Sequence, residues 1–283
     1  MFFSTIIEKW MDKTLIEVTP LFGGDINQVY KLRFSDSESV LKLNDRNRYP
    51  GMFEKEASGL KKIAAAGCRS PLVLKTFSEG NHQFLILEFI EQERPDSKFW
   101  ERFGRRLARL HSAGSATFGW EEDNYIGSLE QRNSKREKWT DFFIDCRIIP
   151  LVEKAREKGL LTQSHSRQFE DLFKRLPQLV PQEGASLIHG DLWSGNLMCG
   201  IGMEPVFIDP AAYFGHREMD LAMTRMFGGF DQSFMNSYNE VLPLEPGFEQ
   251  RVDIHNLYPN LVHLVLFGRS YLGNIERTLR ENL

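Results

Sequence analysis

The sequence predicts an α+β fold of two lobes, a small β-rich N-terminal lobe and a larger helical C-terminal lobe. Residues 1–91 have mostly strand-like patterns, whereas the rest of the chain has mostly helical periodicity. Between the two parts, residues 91–97 change in composition and contain Pro95, which suggests a hinge. We therefore expect one lobe over residues 1–91, a second over residues 92–283, and a ligand cleft between them.

The N-terminal lobe is predicted from apolar and β-branched runs that Gly, Asp and Ser interrupt. An apolar stripe that includes Phe53, Leu60 and Ile63 predicts a helix from residue 53 to residue 66. The segment Glu79-Gly80-Asn81 is typical of a turn. The predicted order is three strands, the helix and two strands, with the strands over residues 16–22, 29–34, 40–43, 72–77 and 84–89.

The C-terminal lobe is predicted to be helical apart from one strand-poor stretch, residues 186–209. Phe103, Leu107, Leu110 and His111 recur at helical spacing, so they predict a helix with one buried face. Further helices are predicted over residues 135–158, 164–175, 217–227 and 233–241, and in pieces over residues 248–283.

Composition and charge exclude several classes of protein. The net charge is −4 without a basic stripe, so a nucleic-acid partner is not expected. The three cysteines form no CxxC pair, which favours a reducing compartment over a disulfide framework or a zinc site. The N-terminus lacks the features of a secretory signal, and no apolar stretch is long enough to span a membrane. We expect a cytoplasmic protein without membrane association; its oligomeric state stays open, with a monomer as the simplest case.

The strongest functional signal is the run LIHGDLWSGN at residues 187–196. Asn196 follows Asp191 by five residues, and Asp209 follows Asn196 by thirteen. Phosphoryl transfer from ATP requires one carboxylate to accept the proton of the attacking hydroxyl and oxygen ligands for Mg²⁺. The spacing therefore predicts Asp191 as the catalytic base, and Asn196 and Asp209 as metal ligands, with Asp209 returned by a β-hairpin.

Each residue of this motif also has a structural interpretation. Asp191 could cap a turn and Asp209 could end a strand, although their combination with Asn196 favours kinase chemistry. His189 stands at the start of the loop rather than beside the hydroxyl, so we predict that it orients the loop.

Weaker signals in the N-terminal lobe fit an ATP site. Gly23, Gly24 and Asn27 lie between two predicted strands, where they could form a lid over the phosphates or an ordinary hairpin turn. Lys42 on the third strand could reach the phosphates or be a solvated lysine. Glu56 lies within the apolar stripe of the helix, and a charge there requires a partner, for which Lys42 is the clear candidate; the alternative is a surface charge.

The last strand before the hinge could contact the adenine base through its backbone, or it could be an ordinary buried strand. The residues concerned are Glu88, Phe89 and Ile90.

The HGDLWSGN motif resembles the fructosamine kinase family, also called ketosamine kinases. The resemblance covers nearly the whole chain and includes FEKEA at residues 53–57, NYIG at residues 124–127 and GHRE at residues 215–218. It implies a protein-kinase-like fold, with ATP and Mg²⁺ as cofactors. It also implies phosphorylation of the sugar 3-hydroxyl of small or protein-bound ketosamines, so that the sugar can detach from the amine. By this match Trp193 lines the sugar site and Asp220 steadies the catalytic loop; a packing role for Trp193 and helix N-terminal charge stabilisation by Asp220 are the alternatives.

The resemblance has one departure and leaves two alternative functions. Many family members carry a cysteine after the loop glycines, where this chain has Asp25, so a thiol-linked dimer through that loop is not expected. Kinases of aminoglycosides and choline share the HxDxxxxN pattern, so a different acceptor is one alternative. A nucleotide-binding pseudokinase is the other. Against the pseudokinase, every residue that the chemistry needs is present: Lys42, Glu56, Asp191, Asn196 and Asp209.

Overall fold

The computed structural model describes residues 3–21 and 26–283. Gly23, Gly24 and Asp25 lie outside the described residues, so the lid over the phosphates stays a prediction. No helix in the described part of the chain has both the length and the apolar character needed to cross a membrane.

The first part of the chain forms one antiparallel sheet with two helices. Its elements are α1 (Ser4–Met11), β1 (Leu15–Leu21), β2 (Gln28–Phe34), β3 (Glu38–Asp45), α2 (Met52–Ala65), β4 (Val73–Glu79) and β5 (His82–Glu88). The strand order across the sheet is β1-β2-β3-β5-β4. The predicted succession of three strands, a helix and two strands is confirmed.

Helix α1 was not predicted. It has eight residues and no side-chain N-cap, so it carries few of the signals that mark a helix in a sequence. The helix and the residue before it contribute apolar side chains to the core. Phe3 and Ile7 are 1% and 0% exposed and pack with Leu32, Phe34 and Phe84 of the sheet. The apolar N-terminal residues therefore belong to the core of the small lobe.

The second part of the chain is mainly helical, as predicted. Its elements are α3 (Ser97–His111), β6 (Gly114–Ser115), β7 (Asn124–Ile126), β8 (Leu129–Gln131), α4 (Trp139–Phe142), α5 (Ile149–Glu157), α6 (Gln163–Leu179), β9 (Ala185–Ile188), β10 (Leu197–Gly200), β11 (Glu204–Phe207), β12 (Tyr213–Gly215), α7 (Glu218–Met223), α8 (Ser233–Val241), α9 (Phe248–His255), α10 (Leu257–Phe267) and α11 (Leu272–Glu281). A π-helical turn, Phe143–Ile148, joins α4 to α5, and 3₁₀ turns lie at Ser194–Asn196 and Arg269–Tyr271.

Some predicted boundaries in this part are wrong. The helix expected over residues 135–158 begins at Trp139, and the π-helical turn divides it. The stretch expected to be strand-poor, residues 186–209, contains β10, β11 and all but the first residue of β9. These strands have four residues each, which is too short for an alternating pattern to stand out. The predicted buried face of α3 is confirmed, since Phe103, Leu107, Leu110 and His111 are all buried.

The connection between the two parts runs along the β10–β11 hairpin of the second part. Gln92 forms a β-bridge with Gly200, and the amide of Glu93 donates to the carbonyl of Cys199 at 2.8 Å. Asp96 then caps α3 by accepting from the amide of Phe99 at 3.0 Å. A boundary between lobes at residues 91 and 92 agrees with this path and stays a prediction.

The three cysteines are buried and form no disulfide. Burial raises the pKa of Cys68 to about 11. Burial also raises the pKa of Cys146 and of Cys199.

A buried charged cluster joins α7 to α9. Glu218 accepts from Arg251 through both carboxylate oxygens, at 2.8 and 2.5 Å, and Oε2 also lies 3.0 Å from His255 Nε2. Candidate ligand atoms of His216, Glu218 and His255 lie within 4.8 Å of one another. Because the Arg251 guanidinium already binds both Glu218 oxygens and would repel a cation there, the cluster is a structural ion-pair network rather than a metal site.

Lowering the pH from about 7.5 to about 5 is expected to destabilise the protein by on the order of 2 kcal/mol through His216. Burial and the neighbouring His255, opposed by Glu218 and Glu183, lower the pKa of His216 to about 4. The stability contributed by neutral His216 is complete above pH 6.5, the ordinary pKa of histidine, and is lost as the pH falls from there toward about 4.

Urea unfolding at the two pH values measures this loss. In His216→Gln the stability difference between the two pH values should be smaller by roughly the same 2 kcal/mol. Glu218 does not confound the measurement, because Arg251 and His255 outweigh its burial and lower its pKa to about 2. An unchanged pH difference in the variant would assign the effect to other groups.

Candidate active site

The hairpin of β10 and β11 brings two predicted metal ligands together. Leu197 pairs with Phe207 in antiparallel register, so the residues just outside the hairpin meet at its open end. The amide of Ile208 donates to the carbonyl of Asn196 at 3.1 Å and closes that end. Asp209 follows directly, and both Asn196 and Asp209 line one cavity. The predicted hairpin return is therefore confirmed.

The loop after β9 is anchored by Asp220. Its Oδ2 accepts from the amide of His189 at 2.6 Å and its Oδ1 accepts from the amide of Gly190 at 2.9 Å. Asp220 is 1% exposed, and His111 Nε2 lies 3.2 Å from its Oδ2. Gly190 has φ 81°, and a Cβ there would lie 2.2 Å from the carbonyl oxygen of Ala211, so only glycine fits.

His189 joins this loop to the hairpin. Its Nδ1 accepts from the amide of Asp191 at 3.3 Å, and its Nε2 donates to the carbonyl of Ile208 at 2.8 Å. Burial lowers the pKa of His189, which keeps the ring neutral and suits one donor and one acceptor nitrogen. The two ring nitrogens thus link the segments that carry Asp191 and Asp209.

Asp191 and Asn196 contact each other directly. The side-chain amide of Asn196 donates to Asp191 Oδ2 at 3.0 Å and to the Asp191 carbonyl at 2.9 Å. Burial, with smaller contributions from nearby Asp209 and Asp220 and against the opposing Asn196 hydrogen bond, raises the pKa of Asp191 to about 7. A carboxylate with a pKa close to neutrality is suited to accept a proton from a hydroxyl.

Lys42 lies between two carboxylates. Its Nζ is 2.7 Å from Glu56 Oε1 and 2.7 Å from Asp209 Oδ1. Burial alone would lower the pKa of Lys42, but Asp209 and Glu56 outweigh burial and raise it above its usual value, so the ammonium stays charged. The predicted pairing of Lys42 with Glu56 is confirmed, and Lys42 is buried rather than solvated.

One open cavity of about 1010 Å³ contains these groups. Lys42, Glu56, Asp191, Asn196 and Asp209 all line it, and so does Asn27, whose Oδ1 accepts from Asn44 at 2.8 Å.

The segment before the hinge is not part of this cavity's described lining. Within the described residues, Glu88, Phe89 and Ile90 are not among those that line this cavity. The Glu88 carboxylate bonds to Arg69 and accepts from the amide of Leu72 at 3.0 Å, and Lys31 Nζ sits 4.0 Å from the centre of the Phe89 ring. Contact between this segment and adenine stays a prediction.

Aromatic side chains form one wall of the cavity. Trp193, 37% exposed, meets Phe227 edge-on with ring centres 6.3 Å apart. Phe227 meets His263 at 5.2 Å, and His263 stacks on Tyr271 at 4.8 Å. The Trp193 indole also covers Gly195, where a Cβ would lie 2.2 Å from the ring. Trp193 therefore packs on its own loop and still offers a face to a ligand.

Three members of this wall, Phe227, His263 and Tyr271, were not predicted as site residues. They come from separate segments, and only the fold brings them beside Trp193. His263 carried the one usable signal, because it interrupts an otherwise apolar run. Its Nδ1 donates to the carbonyl of Pro259 at 2.7 Å, and burial lowers its pKa, so the neutral ring has Nε2 available as an acceptor.

The donor set of the hairpin end fits Mg²⁺. Asn196 uses its amide nitrogen on Asp191, and no donor to its Oδ1 occurs within residues 3–21 and 26–283. Asp209 is partly exposed toward the cavity, with 42% of its side chain accessible. An amide oxygen beside a carboxylate matches the oxygen ligands that Mg²⁺ prefers.

The fold and the site define the class of the protein. An aminoglycoside phosphotransferase structure superposes with a TM-score of 0.66 over 99% of this chain and 97% of its own, at 16% identity, which shows a shared protein-kinase-like fold. With the kinases reported next, this makes the chain a phosphotransferase of that fold.

The particular family follows from closer similarities. The fructosamine kinase model matches residues 3–283, so the chain belongs to the fructosamine kinase family. A structure assigned as a fructosamine-3-kinase from Thermobifida fusca has a TM-score of 0.88 and 33% identity, covering 98% of this chain and 96% of its own. A probable ketoamine kinase from Synechocystis sp. is 39% identical over 268 residues, 92% of this chain and 88% of that protein. The predicted fold class and family are confirmed.

Proposed function

We propose that this enzyme transfers the γ-phosphate of ATP, with Mg²⁺, to the sugar 3-hydroxyl of a small or protein-bound ketosamine. The observation that carries this proposal is a single cavity in which Asp191, Asn196, Asp209 and Lys42 face an aromatic wall that begins at Trp193. Relatives named as ketoamine and fructosamine kinases support the same acceptor. The role would be deglycation in the cytoplasm, because the phosphate can leave and let the sugar detach from the amine.

Each polar group has one task in this mechanism. Asp191 accepts the proton of the attacking hydroxyl, since Asn196 holds its Oδ2 and leaves Oδ1 toward the acceptor. Asn196 and Asp209 would hold Mg²⁺, which would neutralise charge on the phosphates. Lys42, fixed by Glu56, binds the phosphates as a point charge.

The remaining residues complete the two lobes. We assign ATP binding to residues 1–91, with Gly23, Gly24 and Asn27 over the phosphates and the backbone of residues 88–90 at adenine. Residues 92–283 would supply catalysis and acceptor binding. His189 and Asp220 orient the loop of Asp191 through the hydrogen bonds described above.

A small ketosamine is expected to be phosphorylated far better than an aminoglycoside or choline, and Trp193→Ala is expected to lose about tenfold or more in kcat/KM for it. The indole offers a flat apolar face to the C–H side of a sugar and one N–H donor to a hydroxyl. Steady-state assays with all three acceptors measure both statements.

Trp193→Phe is the matched control, because it keeps a ring in the wall and should retain most of the activity. If Trp193 only packs the loop, Trp193→Ala would lose thermal stability and ATP affinity together. Wild-type activity on choline or an aminoglycoside without activity on ketosamines would overturn the proposed acceptor while leaving the phosphoryl-transfer site intact.

A further inference from the structure

The hairpin of β7 and β8 lines the catalytic cavity, and two of its side chains donate hydrogen bonds to the backbone that follows Asp209. Asn124 and Gln131, 6% and 2% exposed, are the residues concerned. Asn124 Nδ2 donates to the carbonyl of Ala212 at 2.9 Å, and Gln131 Nε2 donates to the carbonyl of Ala211 at 3.1 Å. Two side chains of the hairpin thus fix the two residues that lie two and three positions beyond Asp209.

The buried guanidinium of Arg147 fixes the orientation of the Asn124 side-chain amide. Arg147 is 0% exposed and can only donate, and its Nη2 donates to Asn133 Oδ1 at 2.7 Å. Asn133 must then present its nitrogen, which donates to Asn124 Oδ1 at 2.9 Å. Asn124 in turn presents its own nitrogen to the carbonyl of Ala212. Reversing any side-chain amide in this series of hydrogen bonds would place two donors or two acceptors face to face.

A second series of hydrogen bonds fixes the orientation of the Gln131 side-chain amide. The Tyr258 hydroxyl donates to Gln131 Oε1 at 2.6 Å, so the Gln131 nitrogen faces the other way. Its two hydrogens go to Asn124 Oδ1 at 2.7 Å and to the carbonyl of Ala211. Both amide hydrogens of Gln131 are therefore used, and the two series of hydrogen bonds meet at Asn124 Oδ1.

The backbone just before the residues that this network holds is strained. Asp209 has φ 54°, a left-handed conformation that residues other than glycine rarely adopt. Such a residue persists only where its neighbours are held on both sides. On the upstream side, Ile208 donates to the Asn196 carbonyl and accepts from His189. On the downstream side, the side-chain amides of Asn124 and Gln131 donate to the backbone carbonyls of Ala212 and Ala211.

We propose that Asn124 and Gln131 are positioning residues that keep Asp209 in its left-handed conformation, so that its carboxylate faces the cavity beside Asn196. The β7–β8 hairpin is then part of the phosphoryl-transfer machinery rather than only a lining of the cavity. This inference rests on the proposed function for the role of Asp209 as a metal ligand. The hydrogen bonds that support it do not depend on that role.

The experiment compares Gln131→Met with Asn260→Leu. The second variant removes another buried amide, on α10, which donates to the carbonyl of Asn256 at 2.8 Å. In Gln131→Met the Mg²⁺ concentration for half-maximal rate should rise about tenfold, as when a group that orients a metal ligand is lost. The KM for the acceptor should change by less than about twofold. Amide hydrogen exchange in a peptide spanning residues 207–214 should accelerate. Asn260→Leu should lose thermal stability and change none of these three.

A milder variant keeps the test decisive if Gln131→Met does not fold. Tyr258→Phe removes only the hydroxyl that orients Gln131, and it should shift the Mg²⁺ requirement and the exchange rate in the same direction by a smaller factor. Thermal destabilisation alone, with both readouts unchanged as in Asn260→Leu, would refute the positioning role.

Two readouts separate this inference from the proposed function. Calorimetry of Mg²⁺ binding with a non-hydrolysable ATP analogue and the exchange measurement do not require turnover. If the wild type phosphorylated no acceptor, the proposed function would fail. Weaker Mg²⁺ binding and faster exchange in Gln131→Met would then still support the positioning role, and unchanged values would reject it.

Discussion

Replacing Asp191 with asparagine is expected to lower kcat by roughly 100- to 10,000-fold, the usual contribution of a general base. Asparagine keeps the size of the side chain and can still accept from Asn196, so the loop should keep its shape. The variant lacks the basic carboxylate oxygen that is proposed to accept the proton of the acceptor hydroxyl. ATP affinity should stay within a few-fold, because the predicted phosphate contacts are made by other residues. Turnover and nucleotide binding of the purified variant measure the two effects separately.

Asp171→Asn is a matched control, since that carboxylate is exposed on α6 and pairs with Lys174 one helical turn away. It should leave both quantities unchanged. Turnover within a few-fold of the wild type in Asp191→Asn would remove Asp191 from the role of base. A loss of ATP affinity as large as the loss of turnover would instead indicate a disrupted cleft.

Removing the carboxylate of Asp209 is expected to have the second large effect. Asp209→Ala loses the proposed anionic metal ligand and an ion-pair partner of Lys42, so the rate should fall by about 100-fold or more even at saturating Mg²⁺. Asn196→Ala loses the proposed neutral ligand and should be the weaker defect, partly restored by added Mg²⁺.

Rates measured over a range of Mg²⁺ concentrations distinguish the two variants. Thermal stability serves as the control, because Lys42 keeps Glu56 as a partner in both of them. If neither variant changed the dependence of rate on Mg²⁺, the metal assignment would be wrong. Loss of stability without a change in Mg²⁺ dependence would assign Asp209 a structural role through Lys42.

The parts of the site that could be predicted are those set by short spacing along the chain. Asn196 follows Asp191 within one loop, and a hairpin of β10 and β11 returns Asp209, so local rules place all three. The pairing of Lys42 with Glu56 followed from a charge on a buried helix face, where only an opposite charge can compensate for the loss of water.

The parts that could not be predicted depend on packing between distant segments. Phe227, His263 and Tyr271 are ordinary residues of their own segments. They become a wall only when the segment after α7, helix α10 and the turn that follows it come together beside Trp193. Likewise, nothing in the sequence around Gln131 shows that its amide reaches Ala211, which lies 80 positions further along the chain. Strands of three residues such as β7 also leave no periodic signal.

Alkylation of the buried thiols can serve as a probe of unfolding in this protein. Thiolates rather than thiols react with alkylating reagents, and burial with a raised pKa keeps Cys68, Cys146 and Cys199 protonated and out of reach. Alkylation of the native enzyme should therefore be slow, and its rate should follow the population of opened molecules. Because Cys68 and Cys199 lie in different parts of the chain, the order in which the two sulfurs become labelled would reveal which region opens first.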